Sequence, residues 1–206
     1  MQKLIRDLIE SGYLKSDLII SAFEKIDRID FVPEELKSQA YENVALPIGF
    51  EQTISQPLTV AFMLELLDPE SGQMILDIGS GSGWTVALLA EITGEKGKVI
   101  AAERIKELLE FGKNNVEKYS FIKKGIAKFY LADGSVGFME EAPFDRILVS
   151  ASSQSIPEAL KSQLKIGGKM VIPVRNSIIY LERKSENDYY DKEYPGFSFV
   201  PLITAK

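Results

Sequence analysis

Apolar positions in the first thirty residues recur at helical spacing. Leu4, Ile5, Leu8 and Ile9 share one helical face, and Leu18, Ile19, Ala22, Phe23 and Ile26 share another. Ser16-Asp17 reads as the cap of the second helix. From Phe31 to Pro57 the pattern is broken by Pro33, Pro47, Gly49 and Pro57, which predicts mostly loop with short pieces of structure. Pro57 suits the first turn of a helix running to Leu67.

After Met74 the rhythm changes to alternating strands and helices. Apolar runs at Met74–Ile78, Val99–Ala102, Lys128–Leu131, Arg146–Val149 and Met170–Val174 predict strands buried on both faces. Helical patterns fall between them at Thr85–Ile92, Ile105–Tyr119 and Pro157–Leu164. Ile178–Arg183 and Phe199–Leu202 predict two late strands, of antiparallel type. This alternation predicts an α/β fold: a doubly wound, mostly parallel Rossmann-like sheet with helices on both faces. Its ligand site lies beyond the carboxyl ends of the strands.

The most informative segment is Ile75-Leu76-Asp77-Ile78-Gly79-Ser80-Gly81-Ser82-Gly83-Trp84, a buried strand that enters a glycine-rich turn and then a helix. Glycine lets the backbone turn tightly and lets a ligand approach where a Cβ would intrude. The free N–H groups of the following helix favour a ligand carboxylate, and Asp77 offers an acceptor for a cationic group such as an ammonium. Glu103 ends the next strand 24 positions after Gly79, close to the spacing at which an acid reaches ribose hydroxyls. Asp133 ends the strand after that, where a carboxylate accepts from an adenine amino group. A glycine-rich turn alone is often just a tight strand-to-helix connection. Three acids in step at successive strand ends point instead to one extended nucleoside-like ligand. A dinucleotide fits less well, because the third glycine comes one place early and Trp84 stands where it belongs. There is no GK[ST], so a triphosphate-binding P-loop is excluded.

Composition narrows the chemistry further. The 206 residues suit one domain and contain neither cysteine nor histidine. Disulfides, thiol nucleophiles, Cys/His zinc sites and Ser-His-Asp triads are thereby removed, and no metal is expected. A net charge of −6 argues against a nucleic-acid partner. No apolar run reaches the roughly 18 residues of a membrane-spanning helix. The start, Met1-Gln-Lys-Leu-Ile-Arg-Asp-Leu-Ile-Glu, lacks the apolar core of a secretion signal, so the expected location is the cytoplasm.

Ile75–Trp84 resembles the first motif of class I S-adenosylmethionine methyltransferases. Tyr41-Glu-Asn-Val-Ala-Leu-Pro-Ile-Gly-Phe-Glu-Gln-Thr-Ile-Ser-Gln-Pro57 resembles the segment that marks protein-L-isoaspartate O-methyltransferases. Glu103-Arg-Ile, Asp133-Gly, Ala142-Pro-Phe-Asp-Arg-Ile, Gly167-Gly-Lys-Met-Val-Ile-Pro173 and Phe199-Val-Pro-Leu202 match in order over nearly the whole chain. The resemblance implies S-adenosyl-L-methionine as cofactor, held by Asp77, Gly79, Ser80, Gly81, Ser82, Glu103, Arg104, Asp133 and Gly134. It implies Ser55 and Thr53 at the catalytic position, with Ile54 and Gln56 in the loop over which an isoaspartyl peptide docks. The reaction would be methylation of the free α-carboxylate of L-isoaspartyl residues in damaged proteins. The expected arrangement is a monomeric single domain, with residues 1–70 as a helical and substrate-loop segment and 71–206 as the cofactor-binding core.

Such a reaction fits a chain without histidine, because a carboxylate is already ionised at pH 7 and needs no general base. The protein has only to hold nucleophile and methyl in line and keep water out. Departures from the family pattern are Asn43 where aspartate is common, Glu51 where glycine is common, and Leu58 and Thr59 where histidines often follow the Ser-x-Pro step. Glu51 is expected to repel a carboxylate substrate. Two alternatives stay open. One is a methyltransferase of another carboxylate or of RNA, although Val149-Ser-Ala-Ser-Ser-Gln lacks the Asn/Asp-Pro-Pro-aromatic element of nucleobase N-methylation. The other is a cofactor-binding protein that has lost catalysis.

Overall fold

The computed structural model of the chain describes residues 1–203. It opens with α1 (Gln2–Glu10) and α2 (Asp17–Lys25), then 3-10 turns at Arg28–Phe31 and Glu34–Gln39. A small antiparallel hairpin, β1 (Leu46–Gly49) and β2 (Gln52–Ile54), leads into α3 (Pro57–Leu67). The α/β region follows as β3 (Met74–Ile78), α4 (Trp84–Thr93), β4 (Lys98–Glu103), α5 (Lys106–Glu117), β5 (Ala127–Leu131), β6 (Phe144–Val149) and α6 (Glu158–Ser162). Three strands complete it: β7 (Leu164–Val174), β8 (Ser177–Arg183) and β9 (Tyr189–Pro195).

Seven strands form one sheet in the order β5-β4-β3-β6-β7-β8-β9. The first five in that order run parallel, and β8 and β9 are added antiparallel at one edge. The chain winds outward from β3 to β5 and then returns to place β6 on the other side of β3. The order therefore reverses between β3 and β6, and a crevice opens beyond their carboxyl ends. Strand parity sorts the core into two layers. Ile75, Val99, Ala101, Leu148 and Val171 face a core shared with α1 to α4. Leu76, Ile78, Ile100, Ile147, Val149 and Ile172 face a smaller one closed by Leu160 and Leu164. With both faces covered, the central strands have to be apolar throughout, as their sequences are.

Some expectations are corrected. The predicted helix Pro157–Leu164 shortens to Glu158–Ser162, because Leu164 already pairs with Phe144 at the start of the long β7. Phe199–Leu202 forms no strand; only Pro201 bridges, to Ser152. Proline has no N–H to give a ladder. The last strand is instead β9, paired with β8 from Arg183↔Tyr189 to Ser177↔Pro195. Its row of Asp191, Lys192 and Glu193 is exposed and suits an edge that must not recruit a further strand. Ser16 is at the N-cap of α2 but makes no capping bond with its side chain. Its Oγ donates to Glu65 Oε2 at 2.7 Å, and Glu65 Oε1 accepts from the Lys15 and Ser16 N–H groups, both at 2.8 Å. Glu65 on α3 thus fixes the α1–α2 loop. Among the described residues no helix is long and apolar enough to cross a membrane.

Candidate active site

The glycine-rich turn lies at the carboxyl end of β3, beside the point where strand order reverses. Gly79, Gly81 and Gly83 have φ values of 76°, 48° and 84°, a left-handed region where side chains are strained. The third glycine serves packing. A Cβ on Gly83 would meet the Gly112 carbonyl oxygen at 2.7 Å, and one on Gly112 would meet the Gly81 oxygen at 2.6 Å. Asn115, one turn further along α5, donates to the Ser82 carbonyl at 3.1 Å. Helix α5 therefore carries the turn from behind, a role that neither Gly112 nor Asn115 advertises in sequence.

Asp77 is fully buried under this turn. Its Oδ2 accepts from the Thr85 hydroxyl at 2.6 Å, while Oδ1 has no partner among the described residues. Desolvation is the main influence on this carboxyl and pushes its pKa up to about 7; the Thr85 bond opposes the rise and the Glu103 charge adds to it. The Ser80 hydroxyl is likewise buried and unpartnered among the described residues. Buried polar atoms are normally satisfied, so two orphans beneath a glycine turn mark a place completed by a ligand. An ammonium for Asp77 and a hydrogen-bonding group for Ser80 fit the amino-acid end of S-adenosyl-L-methionine.

Glu103 does more than face a ligand. Its Oε2 accepts from the Gly81 N–H at 3.0 Å, and Oε1 accepts from the Arg104 and Ile105 N–H groups at 2.8 and 2.9 Å. The side chain ties the glycine turn to the end of β4, and three bonds leave part of the carboxylate's acceptor capacity for sugar hydroxyls. Asp133 Oδ1 accepts from the Ser135 N–H at 2.8 Å, which starts a 3-10 turn. Asp133 lines a shallow depression with Arg104 and Ile203. Gly134 is fixed by packing, since a Cβ there would collide with Ile78 Cγ2.

These elements surround one cavity, which Glu103 lines directly, while Asp77 is buried behind the glycine turn and Asp133 lies in the adjoining depression. Gly79, Ser80, Gly81 and Ser82 wall it at the turn, Glu103 and Arg104 at β4, Ala132 and Gly134 at β5, and Thr53, Ile54 and Ser55 at the hairpin. The chain's last described residues close another side, stitched there by Ser152 N–H to Val200 O and Leu202 N–H to Ser152 O, each 2.7 Å. A second, open groove adjoins this cavity. Thr53, Ser55, Ser150 and Val200 line both. Ile54 is buried in the core and lines only the cavity, whereas Gln56 lines only the groove. Nothing in the sequence marks Ser150 after β6 as a site residue, and Val200 belongs to the family-like Phe199–Leu202 segment without a site role of its own there. Glu51 lies at the exposed tip of the β1–β2 hairpin with φ 58° and lines neither cavity nor groove. Asn43 Oδ1 accepts from the Leu58 N–H at 3.0 Å, satisfying a free donor at the start of α3. Among the described residues no cluster of acidic side chains is arranged to hold a metal.

A family model described as protein-L-isoaspartate(D-aspartate) O-methyltransferase (PCMT) matches residues 1–206. The protein-L-isoaspartate O-methyltransferase of Methanopyrus kandleri is 42% identical over 206 residues, covering 98% of this chain and 90% of the relative. That of Dictyoglomus thermophilum is 44% identical over 204 residues, with the same coverages of 98% and 90%. A solved Plasmodium falciparum protein-L-isoaspartate O-methyltransferase, in complex with S-adenosyl-L-homocysteine, superposes with a TM-score of 0.87 at 25% identity, covering 98% of this chain and 97% of that one. On the full-length match and these relatives together, the chain belongs to the protein-L-isoaspartate(D-aspartate) O-methyltransferase family.

Proposed function

We propose that the protein transfers a methyl group from S-adenosyl-L-methionine to the free α-carboxylate of L-isoaspartyl residues in damaged proteins. One observation carries this reading: Thr53, Ser55, Ser150 and Val200 form a wall common to the cofactor-type cavity and to an adjoining open groove. An acceptor in the groove and a donor in the cavity meet at the two hydroxyl-bearing residues of the β2–α3 segment.

When bound, the cofactor supplies an electrophilic methyl on a positively charged sulfur. This chain's residues do the rest. Asp77 and the glycine turn take the amino-acid end, Glu103 the ribose, and the Asp133–Gly134 corner the adenine. Ser55, half-buried, and Thr53 donate hydrogen bonds that orient the acceptor carboxylate. Among the described residues no lysine lies at the shared wall, so the carboxylate keeps its electron density. A neutral donor orients it at a smaller cost in nucleophilicity than a cation would. The buried walls exclude water that would compete for the methyl.

The test is methyl transfer from labelled S-adenosyl-L-methionine to an isoaspartyl peptide and to its aspartyl twin. Base-labile methyl ester on the first peptide alone is the expected result. Equal labelling of both peptides, or of neither, overturns the reading.

A further inference from the structure

The groove beside Ser55 is lined mainly by aromatic rings. Its wall contains Tyr13, Phe62, Tyr194, Phe197 and Phe199, and among the described residues no Asp, Glu, Lys or Arg lines it, although Lys192 Nζ lies 5.0 Å from the centroid of the Tyr194 ring. Phe62 is the hub. It meets Tyr194 edge-on with ring centroids 5.2 Å apart, stacks on Phe197 at 5.3 Å, and meets Tyr13 edge-on at 6.1 Å. These rings come from four separate elements, and each is fixed from behind. Tyr13 sits in the loop pinned by Glu65. Phe62 rides on α3, the helix that begins two residues after Ser55. Tyr194 pairs with Ile178 in the β8–β9 ladder, and the Phe197 N–H donates to Asn176 O at 3.1 Å.

From this arrangement we infer that the groove is a specificity subsite for a bulky apolar or aromatic side chain next to the isoaspartyl residue in the substrate. The inference rests on the proposed function and extends it to the choice of substrate. The occupant follows from continuity: the groove shares Thr53 and Ser55 with the reacting cavity, so a chain placing its carboxylate there lays its neighbouring residues along the rings. Preformed aromatic surface rewards apolar and ring side chains, whereas a charged neighbour would lose water against a wall of rings. Repair would then favour damage exposed from apolar stretches of partly unfolded proteins over damage in charged surface loops.

The experiment compares isoaspartyl peptides identical except for the residues flanking the modified site: Phe before it, Phe after it, Ser on both sides, or Glu on both sides. KM for methyl transfer is measured, together with peptide affinity by fluorescence anisotropy in the presence of S-adenosyl-L-homocysteine. At least one Phe peptide should show KM and Kd about tenfold or more below the Ser peptide, the scale of burying one large apolar side chain, with the Glu peptide weakest. Phe62→Leu and Tyr194→Ser should shrink that ratio severalfold, their folding being read separately from S-adenosyl-L-homocysteine binding by calorimetry. Equal constants for all four peptides on the wild-type protein overturn the subsite while leaving the proposed reaction standing. Failure to methylate any of them overturns the reaction itself.

Discussion

The guanidinium of Arg28 holds the backbone of Ser55: Nη2 donates to the Ser55 carbonyl oxygen at 3.1 Å. The same group donates to Val44 O at 2.9 Å and, through Nη1, to Ala40 O at 2.8 Å and Glu42 O at 3.2 Å. Arg28 is fully buried and lies 5.3 Å over the ring of Trp84, the first residue of α4. Burial lowers its pKa to about 10, which still leaves it charged at neutral pH. One cation therefore gathers the whole approach to Ser55 and presses it against the helix that follows the cofactor turn.

Removing that guanidinium should loosen the segment without touching the chemistry directly. Arg28→Lys keeps the charge but lacks the planar fork that reaches several carbonyls at once. It is expected to lower kcat/KM for an isoaspartyl peptide about 100-fold, the usual penalty of slight misplacement. S-adenosyl-L-homocysteine affinity should change much less. Steady-state kinetics and calorimetry check the split; parallel losses in both would show a general collapse.

Ser55→Ala removes the hydroxyl at the shared wall while leaving its backbone bond to Arg28. Methyl transfer should slow by about 100-fold, as for loss of one donor to a reacting oxygen, with cofactor affinity nearly unchanged in calorimetry. Equal losses in both would remove Ser55 from the reaction.

Glu103→Ala should act in the opposite way. It deletes the acceptor of three backbone N–H groups and the proposed ribose contact. Cofactor affinity is expected to fall by roughly two orders of magnitude, on the scale of a couple of charge-assisted hydrogen bonds. Unchanged affinity would show that the ribose lies elsewhere.

Asp77 predicts a pH dependence. Its carboxyl is raised by burial from 3.8 to about 7, so the folded protein holds that proton more tightly than the unfolded chain. Its contribution to stability is therefore largest below pH 3.8 and is lost as pH rises towards 7. A ligand ammonium needs the ionised form, so S-adenosyl-L-homocysteine affinity should fall about tenfold per unit below pH 7. Calorimetry near pH 6 in buffers of different ionisation enthalpy should detect release of close to one proton, and Asp77→Asn should abolish it. A flat profile in the native protein would place the ammonium away from Asp77.

Features that depend on local geometry were legible in the chain. The turn after Ile78 needs glycine for its φ values, and acids at strand ends announce a polar ligand, so Asp77, Glu103 and Asp133 stand out. Arg28 was invisible because its partners are backbone carbonyls 12 to 27 residues away, which leave no trace in side-chain identity. Strand β9 was hidden by its charged and tyrosine-rich pattern, which resembles a loop because an exposed edge needs charge more than apolar alternation. In the structure Tyr189 lies near Lys161 and Arg183, Tyr190 is exposed, and Tyr194 turns into the groove. The departures at Asn43 and Glu51 also gain a local meaning, as a helix-start acceptor and as a left-handed turn position where glycine is easier.

In the proposed reaction Ser55 lies between donor and acceptor. Its most direct test is a crystal structure of the protein with S-adenosyl-L-homocysteine and an isoaspartyl peptide. The sulfur should lie in the cavity walled by Gly79 and Glu103, and the peptide in the groove, with its α-carboxylate about 3 Å from the Ser55 hydroxyl. A peptide carboxylate bound away from Ser55, or a sulfur on the far side of the glycine turn, would contradict it.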